Sequence, residues 1–332
     1  MGGLPKKAFQ FETIRQTHPL PALTLDGGSL LFKTKRVTPG LAAQAKITAE
    51  GIIDAYNLMG YQAVGIARND LAGGLAFLKQ ISGRAEFPLL SANVVYTSSG
   101  QAIFTPKVIR HVGTLAIGII GITDPGLPSP FTAADDAEII PWQKVLPGLV
   151  AELAPNCDMI ILLSNQQLLQ NKEIVQTVPG IHLIIQAGTS SANLAPIKIN
   201  NTLIVQTASQ GKYLGWMEID WRANREWQDD TLKEELALKK RELTAVSRKD
   251  KSAAETAGPE DTKRDTIALA IRKEQLVEQI QGLEAAIVQK NREYPTSSYS
   301  NHFIALDTNL PDNPQVMAVV EETKQRVKEL VP

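Results

Sequence analysis

Apolar residues along this chain gather into short unbroken runs, separated by longer stretches whose apolar positions recur at helical spacing. The clearest case lies mid-chain. Met159–Leu163 (MIILL) is followed by a loop, by a helix over about Leu168–Thr177, and by a second apolar run, Ile181–Ile185. Such an order predicts parallel strands covered on both faces, joined by a crossover helix. Ligands of open α/β sheets collect at the carboxyl ends of the strands, which here are Ser164–Gln167 and Gln186–Ser190.

The same alternation runs through the preceding sequence. Strands are expected at Ala22–Asp26, Tyr61–Ile66, Pro88–Asn93, Thr105–His111, Leu115–Thr123, Leu203–Thr207 and Trp216–Trp221. Ala42–Met59 places Ile47, Ile52, Ile53, Tyr56 and Met59 near one helical face, and a further helix is expected over Gln143–Leu153. This is the pattern of the α/β class. Beyond Asp220 the pattern changes. Thr231–Val246 and Thr266–Val288 are rich in Glu, Lys, Leu, Ala and Gln, with leucines and isoleucines near a heptad spacing. The polar stretch Ser247–Asp265 between them contains Gly258-Pro259, so an antiparallel helical hairpin protruding from the domain is expected. Asn301–Asp307 reads as a strand and Asn313–Leu330 as a closing helix. The division is then 1–228 for the α/β domain, 229–292 for the hairpin and 293–332 for a strand and helix tail.

Composition narrows the picture. A chain of 332 residues, 43% hydrophobic, can bury a large core, and a net charge of −1 gives no footprint for a nucleic-acid partner. A single cysteine, Cys157, excludes an internal disulfide framework; beside a buried strand it reads as an inert core thiol. No apolar run reaches the ~18 residues a membrane span requires. No leader precedes Gly2, and the chain is expected to begin inside a longer gene product.

Seven stretches carry a family resemblance: GGLPKKAFQFETIR, LTLDGGSLLF, AYNLMGYQAVGIARNDLAGGLAFL, FPLLSANV, LAIGIIGIT, VPGIHLIIQAGTS and LIVQTASQGKYLGWMEID. In order and spacing the chain resembles the metallophosphoesterase domain of the 5'-nucleotidase family, over about Gly2–Asp220. The resemblance implies a calcineurin-like α-β-β-α sandwich carrying the protruding hairpin. The chain also resembles degenerate members related to those fused to multihaem cytochrome modules, although it has no Cys-x-x-Cys-His of its own. An extracytoplasmic, periplasmic setting is implied in the same way.

The resemblance also locates the positions where that family holds two metal ions. Ser29 stands where the bridging Asp would be, Arg68 where an Asn ligand would be, and Asn69 where the transition-state His would be. Asp70 replaces a Glu, and Asn165, Gly188 and Ser190 replace three His ligands. An upstream Asp-x-His motif is not in this sequence. None of the four histidines falls on a ligand position, and His182 is expected to be a strand residue with a local partner. No metal, cofactor or catalytic residue is therefore expected. Arg68 could neutralise Asp70, hold phosphate or another anion, or simply face solvent. The reading that follows is a catalytically degenerate phosphoesterase-like protein acting in binding or assembly, with a protein partner on the hairpin and weak anion binding at the vestigial site. Its rivals are a metal-dependent phosphomonoester or nucleotide hydrolase and a pocket that senses a nucleotide without cleaving it. A sheet lacking the upstream strand would need filling, by Asn301–Asp307 or by a partner.

Overall fold

In a computed structural model the chain divides into two units, Met1–Glu218 with Ser300–Pro332, and Ile219–Tyr299. The structure describes residues 3–127, 129–188, 192–209, 211–222, 225–228, 231–256, 262–293 and 295–330. In the first unit, β1 (Leu25–Asp26), β2 (Ala63–Gly65) and β3 (Leu89–Leu90) form a parallel sheet in that order. A six-stranded sheet contains β5 (Lys107–Val112), β6 (Leu115–Ile122), β8 (Met159–Ser164), β9 (Leu183–Gln186), β10 (Leu194–Ile199) and β11 (Thr202–Gln206). Its order is β10-β11-β9-β8-β6-β5, with β6, β8, β9 and β11 parallel and an antiparallel strand at each edge. Every residue of β8 is buried, as its unbroken apolar run predicts. β4 (Val94–Val95) and β7 (Glu138–Ile139) form a small antiparallel pair.

Helices cover the outer faces. α1 (Leu4–Thr17), α2 (Ala42–Met59), α3 (Leu75–Ser82) and α8 (Pro314–Glu329) lie on the small sheet. They bury Ile53, Tyr56, Met59, Leu78 and Val316 against Val64, Ile66 and Leu89. On the large sheet, α4 (Leu146–Leu153) and α5 (Leu168–Thr177) seal Leu146, Val150 and Ile174 against Ile160, Leu162, Ile184 and Ile204. The two sheets face each other closely because Gly121 has no side chain: a Cβ there would strike the Leu90 carbonyl. The result is the expected α-β-β-α sandwich.

Two chain ends are fixed by side-chain chemistry. α2 stops at Gly60, whose left-handed φ of 71° lets its N–H turn back to Tyr56 and Asn57. α8 starts at Asn313, whose side chain accepts the Val316 N–H and donates to Glu12 at 2.7 Å. In the tail expected over 293–332, α8 packs on α1 and α2. Asn301–Asp307 does not fill a gap in the main sheets. Its strand belongs to β13 (Ser298–Ala305), which pairs with β12 (Tyr213–Asp220) in a two-stranded ribbon.

In the second unit, α6 (Thr231–Thr256) and α7 (Thr262–Glu293) pack together. Pairs from Glu242 to Arg272 and from Lys240 to Glu284 show the antiparallel sense. Leu276 and Ile280 are buried, whereas Leu238, Ile267 and Ile271 are exposed. The tip expected at Gly258-Pro259 lies outside the described residues. Among the described residues no helix is long and apolar enough to cross a membrane.

Candidate functional site

The carboxyl ends of β1, β2 and β8 bring together Ser29 with Asp70 and Arg68 with Asn165, whereas Gly188 follows β9 and Ser190 lies outside the described residues. After β1 the chain turns through Gly28, φ 108°, and Ser29, φ 63°. A Cβ at Gly28 would lie 2.5 Å from the Gly65 carbonyl oxygen, so the loop crosses directly over the end of β2. The turn lines up three consecutive backbone donors. Ser29 N–H gives to Asp70 Oδ2 at 2.9 Å, and Leu30 and Leu31 N–H both give to Oδ1 at 2.8 Å. A fourth donor, Ala67 N–H, reaches Oδ2 at 2.8 Å. Asp70 is thus a staple between the loops that follow β1 and β2. It is 3% exposed, and burial pushes its carboxyl up to about 6 against the opposing pull of the four N–H donors.

Arg68 departs from what its sequence context suggests. It is buried, not solvent-facing, and Asp70 takes its charge compensation from backbone donors. The Arg68 backbone N–H gives to Asn165 Oδ1 at 2.9 Å, and its guanidinium donates to the Pro125 carbonyl. Asn165 is anchored in turn by its own N–H to the Ile122 carbonyl. The arginine therefore ties the loop after β2 to the loops after β6 and β8. Asn69 is half-buried beside it. Gly188 follows β9, close to the Gln206 amide.

Beneath these loops runs a chain of neutral side chains that the sequence pattern does not single out. Thr123 Oγ1 donates to the Ile66 carbonyl at 2.6 Å, and Gln166 Nε2 to the Thr123 carbonyl at 3.2 Å. Ser164 Oγ donates to Asn171 Oδ1 at 2.7 Å, Asn171 Nδ2 to Gln186 Oε1 at 2.8 Å, and Gln186 Nε2 to Gln206 Oε1 at 3.0 Å. The one signal available was a polar residue closing an otherwise apolar strand, as at Thr123, Gln186 and Gln206. His182 behaves as its strand setting predicts: it is buried, and its Nδ1 accepts the Ile160 N–H at 3.0 Å.

A dinuclear metal centre needs converging anionic and imidazole ligands. Among the described residues no three His, Cys, Asp or Glu side chains are placed to share an ion. Asp70 is engaged by N–H groups. Asp26, the other carboxylate at this end of the sheet, accepts the Tyr56 hydroxyl at 2.8 Å and the Gly28 N–H at 3.0 Å.

No protein-family model matches the chain. Protein UshA of Salmonella pullorum is 26% identical over 232 residues, covering 59% of this chain and 42% of that protein. The structure of calcineurin-like phosphoesterase YfkN from Bacillus subtilis matches with a TM-score of 0.62 at 17% identity, over 99% of this chain and 90% of that one. A 5'-nucleotidase precursor from Thermus thermophilus matches with a TM-score of 0.60 at 16% identity, over 98% of this chain and 53% of that one. The chain is similar to Protein UshA in sequence and has the fold of the calcineurin-like phosphoesterase structures. It spans less than half the length of the UshA protein it matches. In this chain the carboxyl end of the sheets holds a buried arginine, a stapled aspartate and a neutral amide network.

Proposed function

We propose that this phosphoesterase-like domain works by binding or assembly, not by metal-dependent hydrolysis. The observation that carries the reading is the engagement of Arg68, Asp70 and Asn165 with protein groups. Arg68 adds a positive charge where two cations would have to sit, Asp70 has both oxygens committed, and Asn165 is held by the Arg68 backbone. A site so arranged repels divalent cations and offers no metal-held water as nucleophile. Weak binding of phosphate or another anion near Arg68 belongs to the same reading. So does a protein partner on the hairpin, where Leu238, Ile267 and Ile271 are exposed.

The rival is a metal-dependent phosphomonoester or nucleotide hydrolase, favoured by relatedness to UshA and to the Thermus thermophilus 5'-nucleotidase precursor. Elemental analysis of the purified protein separates the two, together with hydrolysis of a chromogenic phosphomonoester and of AMP with added Mn²⁺ or Zn²⁺. Stoichiometric metal with turnover that a chelator abolishes would defeat the binding reading. Metal at trace level and no turnover supports it.

A further inference from the structure

A second cavity adjoins the Arg68 crevice without using its residues for chemistry. It measures about 250 Å³ and lies where the loop after β6 faces the start of α5, with Pro125, Trp142, Asp124, Gln166, Gln170 and Glu173 among its walls. That volume is just below the ~300–1,000 Å³ of sites for drug-sized ligands, so its occupant is small.

The charged side chains lining it are the carboxylates Asp124 and Glu173, set among neutral amides. Gln170 Oε1 is shielded from solvent and finds no donor among the described residues. A buried acceptor left so costs its full desolvation. Gln166 Nε2 gives one N–H to the Thr123 carbonyl. The Gly126 N–H donates to Asp124 Oδ1 at 3.1 Å, and Asp124 and Glu173 place two carboxylates in the lining. Among the described residues the lining contains no lysine, arginine or histidine. The Arg68 guanidinium, outside the lining, donates to the Pro125 carbonyl. Apolar surface completes the site. Trp142 and Pro125 line it, and Leu127 and Leu169, within two residues of its walls in sequence, are 89% and 73% exposed.

We propose that this cavity binds a small organic amine, its ammonium or guanidinium donating to Gln170 Oε1 and the Asp124 carboxylate while its carbon body lies on Trp142 and Pro125. A cation with several N–H donors satisfies the orphaned acceptor and both carboxylates at once, whereas an anion or a neutral acceptor satisfies neither.

The test titrates agmatine and cadaverine into the full chain by calorimetry and by ¹⁵N-amide shifts, with succinate and sorbitol as controls. Both amines should bind, shifting resonances of 124–127 and 166–173, and the controls should not. Gln170→Leu and Asp124→Asn should each weaken binding about tenfold, the loss of one charge-assisted hydrogen bond. Gln170→Glu, which adds a carboxylate at the same point, should tighten it. Thermal melting of each variant establishes that it is folded. Absence of amine binding overturns the proposal, as do equal binding of sorbitol or succinate and unchanged affinity in a folded Gln170→Glu protein. Metal content and hydrolysis are read separately, so failure of the amine site leaves the binding-versus-hydrolysis question where its own assay puts it.

Discussion

Asp70 provides a quantitative test of how the crevice is held. Its folded-state carboxyl titrates at about 6, against 3.8 for the ordinary group. The folded protein therefore binds the proton more tightly than the unfolded chain. Stability from this residue is fully present below the ordinary value and is lost as pH rises through about 6. The full loss is about 3 kcal/mol, of which about 1.4 falls between pH 5 and pH 8. Asp70→Asn removes the titration but turns an amide NH₂ toward donors that now face no acceptor. Two of the four N–H groups lose their partner, at about 1–3 kcal/mol each, partly offset by removal of a desolvated charge. Urea unfolding of both proteins at pH 5, 6, 7 and 8 reads the two effects apart. Asp70→Asn should be less stable throughout, and its deficit should shrink by about 1.4 kcal/mol from pH 5 to pH 8 as the wild type loses its proton. A deficit that is constant over this pH range would refute the reasoning, since it would place the folded carboxyl at or below its ordinary value.

Four other substitutions address the same loops. Gly28→Ala should destabilise the protein by about 3 kcal/mol or more, because a Cβ meets the Gly65 carbonyl in a backbone conformation L-residues avoid; an unchanged thermal melt would count against the loop geometry. Ser29→Gly relieves a left-handed non-glycine residue and should stabilise by about 1 kcal/mol in the same melt. Arg68→Ala removes the guanidinium from the Pro125 carbonyl and should cost about 2 kcal/mol in denaturant unfolding. Arg68→Lys should recover part of that loss, because a single ammonium can still donate but cannot span as a planar fork does.

Much of the sandwich was legible because buried parallel strands announce themselves as unbroken apolar runs. MIILL and LAIGIIGI became β8 and β6 within a residue or two. Where buried residues are polar, the signal failed. Pro88–Asn93 was expected to form one strand, yet Ser91 and Asn93 direct their side chains to Thr123 and the chain divides into β3 and β4. The site residues were legible as positions but not as interactions. Asp70 is held by backbone N–H groups, which carry no sequence identity, so no pattern of side chains could foretell its four donors. Arg68 was open to several readings because an arginine in a polar loop is ordinarily exposed, and contacts to Pro125 and Asn165 across 57 and 97 residues help to fix it in the interior. The docking of α8 on α2 depends likewise on Gly51 leaving room for Thr323, a match between positions far apart in the chain.

The stapling of Ser29, Leu30 and Leu31 by Asp70 also means that the protein carries a tethered competitor for its own crevice. Three successive N–H groups are a cradle for an oxyanion, and here the occupant is covalently attached, at an effective concentration no dissolved phosphate readily matches. A free anion reaches those donors only by evicting the carboxylate, and because the seated carboxyl holds its proton more tightly than a solvated one, eviction becomes harder as pH falls through about 6. Acidity would then act on the crevice as a bolt acts on a door, seating the tethered occupant more firmly, and the cradle is easiest to open where the buried carboxyl is ionised.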